Sequence, residues 1–281
     1  MRLSYKELLN YDIPEVRQTY TVCDSILYAL SVGIGQDPLD EFDLLHVDEQ
    51  FGPRTLPTMA VMLGYPGFWL NAPGIGADLT RLLHGEQTVT LMRPLPAYGE
   101  VVGKTRVVEA VDKADKGLLL YSEKELRDAR DGSLLAVTAA THVLRGDGGM
   151  PGAATEARTV AKLPQTPPQW RCNVQSRPEQ ALIYRLNGDR NPLHSDPRMA
   201  RKAGFDKPIL HGLCTFAMVS NAVARLLGKT QEGDFRSVSM RFSAPVFPGE
   251  TLGIDVWKDG SFRATVEERG VVVAQGQQIN R

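Results

Sequence analysis

The chain has 281 residues, of which 42% are hydrophobic and 23% are charged, and its formal net charge is -1 at pH 7. This composition is typical of a globular protein that buries one large core or two moderate ones. The balanced charge provides no basic surface for nucleic acid and no polybasic stretch for an anionic membrane. A small-molecule substrate is therefore expected, with neither nucleic acid nor membrane as a partner.

The cysteines and the ends of the chain indicate a reducing compartment. Cys23, Cys172 and Cys214 are odd in number, widely spaced and without a C-x-x-C pair, so neither a disulfide framework nor a zinc site is indicated. The first ten residues carry charges throughout, no run reaches membrane-spanning length, and the last four residues are not a peroxisomal address of the Ser-Lys-Leu type. The sequence predicts a cytoplasmic location.

An internal repeat organises the chain. A helix is predicted from about Tyr20 to Gly35 by the three-to-four spacing of its apolar residues. Its ending, Gly35-Gln-Asp-Pro-Leu-Asp40, aligns with Asp189-Arg-Asn-Pro-Leu-His194. Because two later segments also align in the same order, the chain is predicted to contain two copies of one unit. These segments are 51–58 with 205–212 and 87–100 with 237–250, and an apolar helical run is expected after 58 and after 212.

Each copy then changes to a sequence period near two, which is typical of strands. Turns such as Asp131-Gly132 and Asp259-Gly260 have hairpin chemistry and indicate antiparallel pairing. The predicted fold class is α+β, with two tandem units that each wrap an antiparallel sheet around a helix. The predicted strands are 88–92, 101–111, 118–126 and 134–144 in the first copy, and 238–242, 252–257, 262–267 and 271–277 in the second.

The predicted domains are an N-terminal unit over 1–145, a linker over 146–169 and a C-terminal unit over 170–281. The linker is rich in Gly, Ala, Thr and Pro and shows no periodicity. In the second unit, an intact helix is predicted from Leu213 to Leu227. In the first unit, prolines and glycines between Gly64 and Gly76 break the corresponding helix, and a broken helix lined with apolar side chains can open a cavity.

The polar groups of the second unit are concentrated between Tyr184 and His194. Asp189, Asn191 and His194 lie among turn dipeptides, and a loop can aim an acid and a base at one small molecule. The alternative is that Asp189 and Asn191 only turn the backbone. Gly212 precedes the second predicted helix, where backbone N–H groups are free, so it is a candidate oxyanion donor.

These residues resemble a known family, the hydratase 2 branch of the MaoC-like enoyl-CoA hydratases. The resemblance rests on Tyr184–His194, on Pro208–Leu213 and on Leu83–Gln87, and it covers nearly the whole chain. It implies a double hotdog fold. It also implies reversible addition of water to a trans-2-enoyl-CoA, which gives the (3R)-3-hydroxyacyl-CoA.

The resemblance also implies roles for individual residues. Asp189 and His194 would hold one water between them, Asn191 would orient this assembly, and the N–H of Gly212 would receive the thioester oxygen. His211 adjoins Gly212 and is assigned to substrate binding, with a structural role at the helix start as the alternative. The other residues assigned to substrate binding are Tyr184 and, in the broken segment of the first unit, Phe68, Trp69 and Leu70.

The first unit is predicted to be catalytically degenerate, because Gly35 and Asp40 stand where Asp189 and His194 would be. One active site per chain follows. The resemblance implies that the degenerate half supplies the acyl-chain pocket, and the broken segment favours medium-to-long or bulky acyl chains. An ordinary irregular surface loop is the alternative interpretation of that segment.

The expected chemistry needs no metal and no organic cofactor. His46, His84, His142 and His211 show no paired ligand spacing, so no metal site is predicted. The thiol carrier is expected to be CoA. Acyl-carrier protein is the alternative, since the basic residues around the motif would suit the phosphates of either carrier or would form an ordinary solvated face. A homodimer through exposed sheet edges is also predicted.

Two other functions compete with hydration. A hotdog thioesterase would activate water at the thioester carbonyl, and a non-catalytic module would bind an acyl thioester without turnover. The spacing of Asp189, Asn191 and His194 argues against the first, and the retention of all three groups in the second unit argues against the second.

Overall fold

The computed structural model describes residues 3–78, 81–158, 162–231 and 233–280, and within these residues ten strands form one antiparallel sheet. The first unit contributes β1 (Val16–Tyr20), β2 (Leu82–Leu91), β3 (Gly99–Asp112), β4 (Leu118–Asp128) and β5 (Leu134–Leu144). The second unit contributes β6 (Trp170–Gln175), β7 (Phe235–Phe242), β8 (Thr251–Val256), β9 (Ser261–Val266) and β10 (Val271–Asn280).

The strand order confirms the duplication. It runs β1-β3-β4-β5-β2 through the first unit and β7-β10-β9-β8-β6 through the second, so corresponding strands occupy corresponding places from either outer edge. The units join where β2 pairs with β7, from Glu86 opposite Arg241 to Thr90 opposite Ser237. Two curved antiparallel sheets fused edge to edge against helical segments make the double hotdog fold that the sequence predicted.

All eight predicted strands are present, but β1 and β6 were not predicted. Both lie at the outer edges of the sheet, where most side chains keep contact with solvent. Edge strands of this kind lack the clean alternation that reveals a half-buried strand.

The helices are α1 (Tyr5–Leu9), α2 (Val22–Ser31), α3 (Glu41–Val47), α4 (Gln180–Tyr184), α5 (Pro197–Lys202) and α6 (Gly212–Leu226). The prediction of a helix from Tyr20 to Gly35 was wrong at both ends. Thr21 and Asp24 form a capping box that starts α2 at Val22, and Tyr20 belongs to β1. At the other end, Gly33 has a positive φ of 90°, which a continuing helix does not allow.

The long helix of the second unit, α6, lies at the centre of the main core. Phe216, Val219 and Val223 on its buried side are fully shielded from solvent. Gly228, just beyond its end, has a φ of 64°, which suits a residue that terminates a helix. This helix matches the predicted one from Leu213 to Leu227 to within a residue.

The corresponding helix of the first unit is replaced by a single turn. The apolar helical run expected after Thr58 is only a 3-10 helix over Pro57–Val61. Lys124 on β4 donates hydrogen bonds to the carbonyls of Ala60 and Val61, each at 3.0 Å, and to that of Leu63. The buried ammonium thus satisfies carbonyl groups that a continuing helix would have satisfied.

A close backbone contact also diverts the chain after this turn. A Cβ on Gly103 would lie 2.1 Å from the carbonyl oxygen of Gly64, so only glycine fits there. The chain therefore leaves the core where the second unit continues as α6. This leaves the first unit without the long helix.

The segment between the units has little regular structure. β5 ends at Leu144 and β6 begins at Trp170, and the described residues between them form only an isolated bridge from Ala154 to Val111. None of the helices within the described ranges combines the length and the apolar character needed to cross a bilayer.

Candidate active site

The loop after α4 positions the first polar group of the site. Gly188 adopts a φ of 119°, and the chain then turns at Asp189, whose carboxylate accepts a hydrogen bond from the backbone N–H of Asn191 at 3.2 Å. The Asn191 side chain accepts from the N–H of Leu193 at 3.1 Å and caps a 3-10 helix over Pro192–His194. Asp189 and Asn191 therefore do turn the backbone, which was the alternative role considered for them. The same turn directs His194 toward this loop.

His194 is held as a neutral hydrogen-bond acceptor. Its side chain is only 9% exposed, and Nδ1 lies 2.9 Å from the carbonyl oxygen of Ile209. Because a carbonyl can only accept, Nδ1 carries the proton and Nε2 keeps a free lone pair. Burial lowers the pKa of His194, while the charge of Asp189 and the Ile209 carbonyl act in the opposite direction. The imidazole is thus prepared to accept a proton at Nε2.

His211 forms the layer beneath these two groups. Its ring stacks on that of His194 with centroids 3.8 Å apart, and its Nε2 donates to the backbone carbonyl of Asp189 at 3.1 Å. Burial and the neighbouring His194 lower the pKa of His211 to about 2, so it stays neutral. From the sequence, His211 is one of several scattered histidines without paired ligand spacing, whereas the structure brings it beside Asp189 and His194. Its place next to Gly212 was the one signal in the sequence.

Gly212 is the first residue of α6, at the positive end of the helix dipole. A Cβ at this position would lie 3.7 to 3.8 Å from the ring of Phe242, which is ordinary van der Waals contact. The backbone fold therefore does not require a glycine here. The absence of a side chain at Gly212 instead allows a ligand atom to approach the N-terminus of α6 closely.

Residues of the first unit that were not predicted from the sequence form the facing wall. The His84 ring meets Phe242 edge to face at 5.4 Å and stacks on His142 at 5.2 Å. Burial lowers the pKa of His84, and the charge of Asp189 raises it in part, which places this imidazole within the field of the site. His84 belongs to the Leu83–Gln87 motif, whose role the sequence did not reveal.

Two more side chains of the first unit border the Asp189 loop. A Cβ on Gly188 would lie 3.9 Å from Cε of Met62. Burial and the negative charge of Asp189 both raise the pKa of the Tyr65 hydroxyl. Both residues follow the 3-10 turn at Pro57–Val61, so the segment that replaces the missing helix of the first unit borders the loop.

Of the remaining predicted site residues, Tyr184, Trp69 and Leu70 are buried and Phe68 is exposed. The Tyr184 ring is fully buried, 4.9 Å from His211 and beneath it. Trp69 and Leu70 are buried in a separate cluster with Leu8 and neighbouring apolar residues, and Phe68 is 43% exposed. The structure thus brings together Asp189, His194, His211 and Gly212. The assignment of Tyr184 and of residues 68–70 to substrate binding stays a prediction.

The spacing of the central groups suits a bound water. Asp189, His194 and His211 each offer a ligating atom, and these atoms lie within 4.8 Å of one another. One water that hydrogen-bonds two groups at about 2.8 Å each spans such a gap. One carboxylate and two imidazoles are also a donor set that divalent transition metals accept. The arrangement can therefore activate a water, either directly or through a metal ion, and chelation separates these two possibilities.

Comparisons with known proteins agree over both units. Residues 18–146 match the family described as MFE-2 hydratase 2 N-terminal domain, and residues 159–279 match the MaoC like domain. The chain is 37% identical to the peroxisomal enoyl-CoA hydratase 2 of Arabidopsis thaliana, over 96% of this chain and 93% of that protein. It is 41% identical to the 3-hydroxyacyl-thioester dehydratase Y of Mycobacterium tuberculosis, over 87% of this chain and 84% of that protein.

A solved structure shows the same architecture. The crystal structure of a MaoC-like dehydratase from Phytophthora capsici superimposes with a TM-score of 0.84 at 31% identity, and the match covers 98% of each chain.

Proposed function

Because this chain belongs to the MaoC-like hydratase 2 family, we propose that it adds water reversibly to a trans-2-enoyl-CoA and forms the (3R)-3-hydroxyacyl-CoA. The observation that carries the proposal is the pairing of the Asp189 carboxylate with a neutral His194 whose Nε2 is free to accept. Both groups lie near the N-terminus of α6, where a carbonyl oxygen can be bound.

In this mechanism, Asp189 and His194 hold the attacking water. Each of the two groups accepts one of its hydrogen bonds, which leaves an oxygen lone pair directed at C3 of the substrate. As the oxygen attacks, the pair removes one proton, and a proton is returned to C2. Positioned acid–base groups of this kind contribute roughly 10²- to 10⁴-fold to the rate.

The first residue of α6 would stabilise the charge that develops on the substrate. Attack at C3 moves negative charge to the thioester oxygen in an enolate-like state. The N–H of Gly212 points from a helix N-terminus and has no side chain in the way. Removal of one comparable donor costs other enzymes about 10² to 10³ in rate.

The acyl chain would extend into the space left by the first unit. Since the chain turns away after Val61, Met62 and Tyr65 flank the Asp189 loop where a second long helix would otherwise lie. This supports medium-to-long or bulky acyl groups as the preferred substrates.

The remaining assignments are part of the same proposal. CoA is the expected carrier, and acyl-carrier protein is the alternative, because Arg190, Arg201 and Lys202 near the loop are exposed cations. A homodimer would use the outer edges at β1 and β6, which end the sheet. The cytoplasmic location stays a prediction, and the Arabidopsis relative is named as peroxisomal.

The test is an assay of the purified protein on short and long trans-2-enoyl-CoAs. Loss of the conjugated thioester absorbance with formation of an (R) product, identified by stereospecific dehydrogenases, is expected, with the longer substrates preferred. Release of free thiol would instead identify a thioesterase. Tight binding without turnover would identify an acyl-thioester binding module.

A further inference from the structure

A second cavity lies between the two units, on the side of the first unit. It is lined by parts of 54–58 and 91–95 of the first unit, together with Phe42 and His46, and by residues 220, 221, 224, 225, 229–231, 233 and 235 of the second unit. We call it the first-unit cavity. The second half of α6 and residues just beyond its end line this cavity, whereas the active site lies at the first residue of that helix.

The internal repeat identifies what this cavity corresponds to. Thr58, in its wall, aligns with Gly212, and the stretch 91–95 aligns with 241–245, which includes the Phe242 that lies beside Gly212. The corresponding strands β2 and β7 pair antiparallel with each other at the junction of the units. Residues that align in the repeat therefore occupy equivalent positions, each facing the other unit. The first-unit cavity is therefore the counterpart of the active site in the other half of the repeat.

The catalytic groups are absent from this counterpart. Asp40, aligned with His194, accepts from the N–H of Phe42 at 3.0 Å and forms an ion pair with Arg225 of the second unit. Gly35 stands in place of Asp189, and its N–H donates to the carboxylate of Asp43 at 2.7 Å. No water-activating pair is formed by these residues, although the cavity itself is retained.

The lining of the cavity combines an apolar interior with positive charge. Leu56, Leu91 and Leu95 are each at most 5% exposed and form part of its wall. Among the described residues of the lining, every charged side chain is basic. Two of them are already paired, Arg93 with Asp128 and Arg225 with Asp40 and Asp43.

The other two basic residues are available for a ligand. Arg54 and Lys229 form no ion pair with any residue in the described part of the chain. An apolar wall with two uncompensated cations complements a molecule that has a hydrocarbon chain and an anionic group. We propose that the first-unit cavity is a second, non-catalytic binding site for such an anionic amphiphile, either a fatty carboxylate or an acyl-CoA. This inference does not depend on the hydration reaction, because binding alone reveals it.

Calorimetric titration of the full-length protein with decanoate and, separately, with decanoyl-CoA tests the proposal. Decanoyl-CoA is saturated and cannot be hydrated, so it is expected to occupy two sites per chain, one of them catalytic. CoA alone serves as a probe that lacks the acyl chain, and decanol serves as a probe that lacks the negative charge. Binding of decanoate but not decanoyl-CoA in the first-unit cavity would identify a free carboxylate as the ligand, and the reverse would identify the acyl thioester.

Two sets of variants locate the second site. Ala224→Trp fills the cavity from α6 and is expected to remove one of the two sites while the rate on a short enoyl-CoA is unchanged. Ala129→Trp, at the β4–β5 turn, is the matched control for bulk. The double variant Arg54→Gln/Lys229→Gln is expected to weaken the second site at least tenfold for the anionic ligands and to leave decanol binding unchanged.

The double variant also keeps the test valid if Ala224→Trp fails to fold. The proposal would be overturned if neither decanoate nor decanoyl-CoA bound the wild type at a site that Ala224→Trp or the double variant weakens. Equal effects of Ala224→Trp and Ala129→Trp, or unchanged affinity in the double variant, would also overturn it.

Discussion

The imidazole of His211 lies against that of His194, with ring centroids 3.8 Å apart and planes 28° apart. The same His211 donates a hydrogen bond to the backbone of Asp189. A single buried side chain thus fixes the relative positions of the two groups proposed to activate water. His211 is a positioning residue in this account, since it is itself fully buried.

Replacement of His211 by alanine is expected to lower kcat by roughly 10²-fold, because small displacements of reacting groups are costly. It should also shift the acidic limb of the pH profile to higher pH. Burial now lowers the pKa of His194, and water admitted beneath its ring would raise that pKa. His46→Ala removes another buried imidazole and serves as the control. A rate loss with an unmoved acidic limb would contradict the positioning role.

Gly212→Ala tests the approach to the N-terminus of α6. The added methyl would touch only the Phe242 ring at an ordinary distance, so the melting temperature should stay the same. The rate should fall by about 10²-fold or more if the thioester oxygen binds closely at this N–H. Normal hydration by a variant that is shown to be folded would exclude Gly212 as the oxyanion donor.

Lys124 provides a prediction about stability and pH. Burial lowers the pKa of this fully buried lysine from 10.5 to about 7. Between these two values the unfolded chain binds the proton and the folded protein does not, so the free energy of unfolding should rise with pH over this window. The contribution has a slope of up to about 1.4 kcal/mol per pH unit.

Denaturant unfolding across the same window, for the wild type and for Lys124→Met, measures this contribution. The free energy of unfolding of the wild type relative to that of Lys124→Met should be constant below about pH 7 and should rise with pH between about 7 and 10.5. Lys104→Met removes an exposed lysine from the neighbouring strand and should leave the slope unchanged. A Lys124→Met variant with the wild-type slope would show that the ammonium does not lose its proton in this window.

The proposal that no metal takes part is tested by chelation. Dialysis against a strong chelator should leave the hydration rate unchanged. Added Zn²⁺ should inhibit, because the Asp189, His194 and His211 atoms within 4.8 Å would bind the ion in place of the water. Activity lost on chelation and restored by one equivalent of metal would replace the acid–base mechanism with a metal-activated one.

The sequence predicted the features of the fold that depend on local periodicity. The eight inner strands and α6 have regular apolar patterns, and each was located to within three residues except β2, which begins six residues before its predicted start. The edge strands β1 and β6 were not predicted. The helical run expected after Thr58 was predicted to be longer than the observed 3-10 helix over Pro57–Val61. Their structures depend on contacts with distant residues, such as Lys124 and Gly103, which no local pattern reveals.

The site was predictable where its residues share one loop or mark the start of a helix. Asp189, Asn191 and His194 are neighbours in sequence, and Gly212 was recognisable at a helix start. The contributions of Met62, Tyr65 and His84 arise from the packing of one unit on the other, which brings together residues more than a hundred positions apart. The stacking of His211 on His194 likewise exists only in the folded protein.

The most direct test of the central claim follows the oxygen of water into the product. Hydration in water enriched in oxygen-18, with mass-spectrometric location of the label, should place it on the C3 hydroxyl of an intact thioester. Asp189→Asn and His194→Ala should each reduce this incorporation by at least 10²-fold while they remain folded. Label found only in the carboxylate of a released acid, or undiminished incorporation in both variants, would contradict the assignment of these two residues to the hydration of an enoyl thioester.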